Sequence, residues 1–249
     1  MLPKHHSSHL LHKAAVAAII SAFLCTSAAY AQRKKITDRL ENAGIVLKEA
    51  TRMPEQLPSD LISRASCIIV IPSSLKGAFI FGLNYGRGVM TCRTGADNRG
   101  RWGAPLMVAM GGVNFGLQLG AQATDFILVL TNPRAPDSLL SSRFKLNADA
   151  AGAAFTKGRH AEAGTDLFMR AHILAYSRSR GLFTGVSVAA ASLRPDRYAN
   201  LEIYGRDIPT RDVVLGGNVT PPKAASGMLD LLNSRFSQNK STATAANIP

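Results

Sequence analysis

Acidic side chains are scarce in this sequence. Of its 249 residues only 16 are Asp or Glu, against 29 Lys or Arg, so the formal charge is +13. A balance that basic favours an anionic partner, whether nucleic acid, an acidic polymer or a membrane surface, over a neutral one. Aromatic residues are also few, at 6%. Single-stranded nucleic-acid binders interleave aromatics with basic residues to stack on bases. Here most aromatics fall within apolar alternation, so nucleic acid is disfavoured. Histidine is rarer still once the first 31 residues are set aside: His160 and His172 remain. With Glu162 and Asp166 they match no standard metal-ligand spacing. No Gly-x-Ser-x-Gly elbow is present. No phosphate loop is present either, since "GLNYGRG" lacks the Gly-Lys-Ser/Thr ending. The sequence therefore points to no enzyme, no metal and no cofactor.

A long charge-free run exists, from Trp102 to Thr124, and it holds Gly112, Gly116 and Gly120 four apart. That spacing fits a close-packed membrane helix. It fits a strand equally, because a period of two also places glycines four apart. Val113, Phe115, Leu117, Leu119 and Ala121 alternate with Asn114, Gly116, Gln118, Gly120 and Gln122. A spanning helix would put three amides in lipid. The alternation predicts strands over 106–121 and 124–131 instead.

Residues 1–31 have the layout of a cleaved export signal: Lys4 and Lys13 without an acid, an apolar run over 14–24, and Ala29 and Ala31 before Gln32. Without them the charge is +11 and two cysteines remain, Cys67 and Cys92. In an exported chain these are expected to pair, the alternative being two buried free thiols.

Ile36, Leu40, Ala43, Leu47 and Ala50 recur at helical steps and predict a helix over 33–53. Asp38 and Glu41 fit a capping box at its start. A short helix is expected from Ser59. "CIIVIP" reads as a buried strand, with a hairpin turning near Gly86–Gly88 and a second turn at Asp97–Gly100. Further on, a short helix is expected around Asp137, two strands with a turn at Ser179–Gly181, a short helix in 195–204, and a helix carrying Met228, Leu231, Leu232 and Phe236. The fold class is α+β, a largely antiparallel sheet, sandwich or barrel-like core with a first amphipathic helix and peripheral short helices. No internal repeat or interdomain linker is evident.

Basic residues gather near the expected strand ends and turns: Arg33, Lys34, Lys35, Lys76, Arg87, Arg93, Arg99 and Arg101, then Lys157, Arg159, Arg178 and Arg180. If they converge they form an anion-binding surface; otherwise they are the solvated rim of a sheet protein.

"CIIVIPSSLKGAFIFGLNYGRGVMTCR", "GGVNFGLQLGAQATDFILVLTN" and "AYSRSRGLFTGVSV" resemble three successive blocks of the SYLF domain family. "RLENAGIVLKEATRMPEQLPSDLISRAS" looks like that family's first helical segment. The resemblance covers residues 35 to 217, with 234 as its outer bound, and departs from the family pattern at "AAAS" after "GVSV". It implies a non-enzymatic lipid-binding domain that recognises anionic phospholipid. It also implies membrane contact through an N-terminal amphipathic helix, at Lys34, Lys35, Arg39 and Lys48 here. With Lys76, Arg87, Arg178 and Arg180 these are the expected lipid-binding residues. The expected organisation is a signal peptide over 1–31, the SYLF-like domain over 32–217, a helical extension over 218–236 and a disordered tail over 237–249. The expected setting is a bacterial, exported one, periplasmic or peripheral to an envelope membrane. The alternative is a structural or interaction protein of the cell envelope without lipid specificity.

Overall fold

A computed structural model describes residues 30–52, 57–77, 82–95, 98–114, 122–131, 144–146, 173–179, 182–185 and 191–237. The helix expected near Asp137, and Arg180, Lys157, Arg159, His160, Glu162, Asp166 and His172, lie outside them.

Helix α1 occupies residues 30–51, and α2 is Ser59–Ser63. Eight strands follow: β1 Cys67–Gly77, β2 Gly82–Cys92, β3 Leu106–Asn114, β4 Gln122–Leu130, β5 Phe144–Leu146, β6 Ile173–Ser179, β7 Leu182–Gly185 and β8 Ala191–Pro195. Helices α3 (Arg197–Tyr204), α4 (Thr210–Leu215) and α5 (Ser226–Arg235) complete the chain as described. The strands form one sheet in the order β5-β8-β3-β2-β1-β4-β6-β7, every neighbouring pair antiparallel. The α+β class and the antiparallel sheet are as the alternation predicted.

The period of two sorts the strand residues onto two buried faces. Ile68, Val70, Val89, Met107, Ile127, Val129 and Tyr176 line the first, beneath α1, α2 and α5. Ile69, Ile71, Met90, Val108, Met110, Leu128 and Leu193 line the second, together with Val213 and Val214 of α4. Helix α1 buries the stripe the sequence announced, Ile36, Leu40, Ala43, Leu47 and Ala50, with Val46 added. It also lies close to the start of α5: a Cβ on Gly44 would stand 3.1 Å from the Met228 amide nitrogen.

Two local expectations fail. Asp38 does not cap α1, because residues 30–38 are already helical; it accepts from Lys34 one turn back, at 2.8 Å. Strand β2 also runs unbroken through Gly86–Gly88. The glycines serve a different need there. Pairing of β1 with β2 shifts register between Val70 and Leu75, and Gly88 lies against the shifted segment.

Cys67 and Cys92 are direct cross-strand partners, fully buried and joined by a disulfide with Cα atoms 4.0 Å apart. The bond closes a loop with a sequence separation of 25 residues, for which chain entropy gives about 3.5 kcal/mol. The double variant Cys67→Ala, Cys92→Ala is expected to lose about 3 kcal/mol in urea unfolding. A loss below about 1 kcal/mol would mean that the unfolded chain already holds this hairpin together.

Candidate anion-binding surface

Asp196 stands where β8 turns into α3, and it organises the basic residues around it. It is the N-cap of α3: its Oδ1 accepts from the Ala199 amide at 3.2 Å. Its Oδ2 lies 3.7 Å from Arg39 Nη1 on α1 and 3.7 Å from Arg87 Nε on β2. One carboxylate thus faces two guanidinium groups, and the cluster keeps a net positive charge. Oδ2 and Arg39 Nη1 are buried and make no hydrogen bond. Burial pulls the Arg39 pKa down, and the Asp196 charge opposes that pull. Arg87 is raised, first because its Nε–H donates to the Tyr85 hydroxyl at 2.6 Å, and further by Asp196.

The frame under this cluster is tied to β3 by side chains. Asn200 accepts from the Met107 amide at 2.8 Å and donates to the Met107 carbonyl at 2.9 Å. The Asp196 amide donates to that same carbonyl at 2.9 Å. The Tyr204 hydroxyl donates to the Pro105 carbonyl. These bonds fix where Arg194 and Arg197 are presented. Beside them opens a cleft of about 870 Å³, bounded by Arg87, the end of β8, the start of α3 and residues 207–210. Arg197 crosses part of it to Asp207, at 3.6 Å.

The expected basic residues do not form one patch. Arg39 and Arg87 converge on Asp196. Lys34, Lys35 and Lys48 remain exposed along α1. Position 178 pairs with Asp125 and shares the phase of Tyr176, on the first face. Position 76 pairs with Asn84, in the phase of Met90, and so belongs to the second face, away from Arg87. Arg93 is not a surface residue at all, being completely buried. Neither Arg194 nor Asp196 is among the site residues expected from the sequence, where Asp196 signals only the end of a strand pattern. The signal for Asp196 was present: a short-chain acid after Pro195 and three residues before Ala199 is an N-cap pattern.

Among the described residues no group of acidic, histidine or cysteine side chains could hold a metal ion, and no helix is long and apolar enough to cross a membrane. Fold and surface together define a basic, sheet-based α+β domain whose described polar cluster is built of arginines around one carboxylate. A family model described as Ysc84, Las17-binding protein actin regulator, matches residues 111–235. The chain belongs to this family, the SYLF domain family.

It is similar to LAS seventeen-binding protein 3 of Saccharomyces cerevisiae, 34% identical over 182 residues, which are 72% of this chain and 39% of that protein. It is similar also to SH3 domain-containing YSC84-like protein 1 of Homo sapiens, 26% identical over 191 residues, 74% of this chain and 55% of that one. The chain thus spans about two fifths to three fifths of the curated relatives it matches. The yeast relative is named for binding, and the family model for binding and regulation.

Proposed function

We propose that the protein binds anionic phospholipid as a peripheral, salt-sensitive membrane binder, without catalysis. One observation carries the reading. Among the described residues fourteen Lys and Arg are exposed, against five Asp and Glu. Each basic side chain near an anionic surface contributes about 1 kcal/mol, weakened by salt. The mechanism is surface electrostatics rather than insertion of α1. Ile36, Leu40, Val46 and Leu47 are all under 5% exposed. Extracting four such side chains costs on the order of 10 kcal/mol, which is the size of a whole domain's stability. Lys34, Lys35 and Lys48 instead face outward while the apolar stripe stays packed.

The buried Cys67–Cys92 disulfide supports an oxidising compartment, periplasmic or envelope-associated. Protein recovered from the envelope with a mass beginning at Gln32 would support export, and a cytosolic, unprocessed chain would remove that part of the reading.

Vesicle co-sedimentation tests the lipid reading. Binding is expected to phosphatidylcholine vesicles carrying phosphatidic acid, not to phosphatidylcholine alone, and to fall at least tenfold at high salt. Equal binding to both vesicles would overturn it. The relatives named for binding Las17 favour a second reading, an interaction protein of the envelope. Absence of vesicle binding at either salt, with recovery of a stable protein complex, would support that reading.

A further inference from the structure

We propose that the outward side of α3 is the face that meets the membrane, with Tyr198 and Leu201 entering the headgroup layer of an anionic bilayer. The proposal rests on the membrane reading above and adds the docking face to it. Helix residues turn by about 100° each, so α3 has one side for the core and one for solvent. Ala199 and Ile203 pack on the first core layer. Asn200 bonds to Met107, and Tyr204 to the Pro105 carbonyl. Tyr198 and Leu201 lie on the opposite side, three residues apart and therefore adjacent. They are 54% and 48% exposed. The solvent side of a helix ordinarily carries polar and charged residues; this one sets an aromatic ring beside an aliphatic side chain.

Basic residues stand at both ends of the pair. Arg194 and Arg197 border the same cleft as Tyr198. At the other end Arg33 Nε lies 3.9 Å from Glu202 Oε1. That contact brings the basic start of α1, with Lys34 and Lys35, to the residue next to Leu201. Arg33, Lys34 and Arg197 each face one carboxylate, of Glu202, Asp38 and Asp207. Lys35 and Arg194 are exposed, with no ion-pair partner among the described residues. The face is therefore net positive as well as partly apolar.

That combination is complementary to an anionic bilayer. A tyrosine, apolar along its ring and polar at its hydroxyl, sits at headgroup level. A leucine beside it reaches the acyl boundary, and the flanking bases meet anionic headgroups. Both side chains already stand outside the core, so no packing is broken, in contrast to the stripe of α1. The helix beneath them is held in place, capped by Asp196 at its start and bonded to β3 through Asn200.

The test places a reporter on this face. Trp102, the one tryptophan of the chain, is buried, so an added surface indole is read against a constant background. Leu201→Trp is compared with Ile45→Trp, whose site is 53% exposed but lies beside the start of α5, about 18 Å along α1 from Arg33. Each is mixed with phosphatidylcholine vesicles carrying phosphatidic acid, with and without brominated acyl chains. The Leu201→Trp emission is expected to shift to the blue and to be quenched about twofold by the bromines, and the Ile45→Trp emission to stay unchanged. The double variant Tyr198→Ala, Leu201→Ala is expected to keep its circular dichroism and to weaken vesicle binding about tenfold. Vesicle binding with equal quenching in the two tryptophan variants, with none in either, or with quenching at position 45 alone would overturn the α3 face and leave the membrane reading standing. Full vesicle binding by the double alanine variant would do the same; if that variant instead lost a protein complex, the face would belong to a protein partner. No vesicle binding by the unaltered protein would overturn both.

Discussion

Arg93→Met is expected to lower the unfolding free energy by about 4 kcal/mol, enough to leave a marginal domain largely unfolded on warming. The residue is fully buried at the end of β2. Its Nε donates to the Ala65 carbonyl at 3.0 Å. Nη1 donates to the carbonyls of Gly100 at 3.4 Å and Ser237 at 3.1 Å, and Nη2 to that of Phe236 at 2.7 Å. The guanidinium carbon lies 4.5 Å from the centre of the Trp102 ring, and the Trp102 indole N–H also donates to Phe236, at 3.0 Å.

Three chain segments, at Ala65, at Gly100–Trp102 and at Phe236–Ser237, are thus held by one side chain. Methionine would fill much of the volume but leave the buried Ala65 carbonyl without its donor, at about 1–3 kcal/mol, and would remove the bonds to the part-buried Gly100 and Ser237 carbonyls and the contact with the Trp102 ring. Burial pulls the Arg93 pKa down to about 10, so the group is still charged at neutral pH and the carbonyl dipoles hold that charge. Arg93→Lys tests the geometry separately. It keeps a charge but not the planar fork, and it is expected to recover less than half of the loss. Urea unfolding of both variants decides: a change below about 1 kcal/mol for Arg93→Met would show that the residues after α5 are held by other contacts.

The same strand shows how far the sequence could be read. Val89, Thr91 and Arg93 fall in one phase of β2, and that phase faces α1 and α5. The alternation thus continues one residue past the strand to Arg93, although its charge had set it among the surface basic residues. What it lacked was the partners, because two of the four carbonyls that satisfy Arg93 come from residues more than 140 positions away. Arg87 lies in the same phase, where Arg39 and Asp196 meet it. Helix α1 was legible because its stripe is local and its period strong. Its beginning was not, since Asp38 makes an (i, i+4) pair with Lys34 as readily as it would make a cap. Lys76 shows the limit most sharply. Counted from Val70 by twos it would share Arg87's face. The register shift between Val70 and Leu75 moves it to the other, as a one-residue slip must. Sequence spacing on one strand cannot reveal a shift that exists only between two.

Gly88→Ala is expected to be nearly as damaging as Arg93→Met, at about 3 kcal/mol or more, although it adds a single methyl group. An alanine Cβ there would stand 2.3 Å from the Val70 carbonyl oxygen and 2.9 Å from the Ile71 Cα. Both are backbone atoms of β1, which is hydrogen-bonded on its two sides by β2 and β4. Val70 pairs at once with Val89 and with Ile127, so β1 cannot retreat without breaking a ladder. Gly111→Ala is the matched control. It adds the same methyl group to the neighbouring strand β3, where no described atom lies within 4 Å. It is expected to change stability by less than about 0.5 kcal/mol. Thermal unfolding of the two variants side by side separates the meanings of glycine in this sheet. Gly88 lets the β1 irregularity close against β2, next to Arg87, whereas at Gly111 no described atom crowds the position. Equal stability in both variants would mean that β1 can shift its register at little cost, and the placement of Arg87 would then have to come from Tyr85 and Asp196 alone.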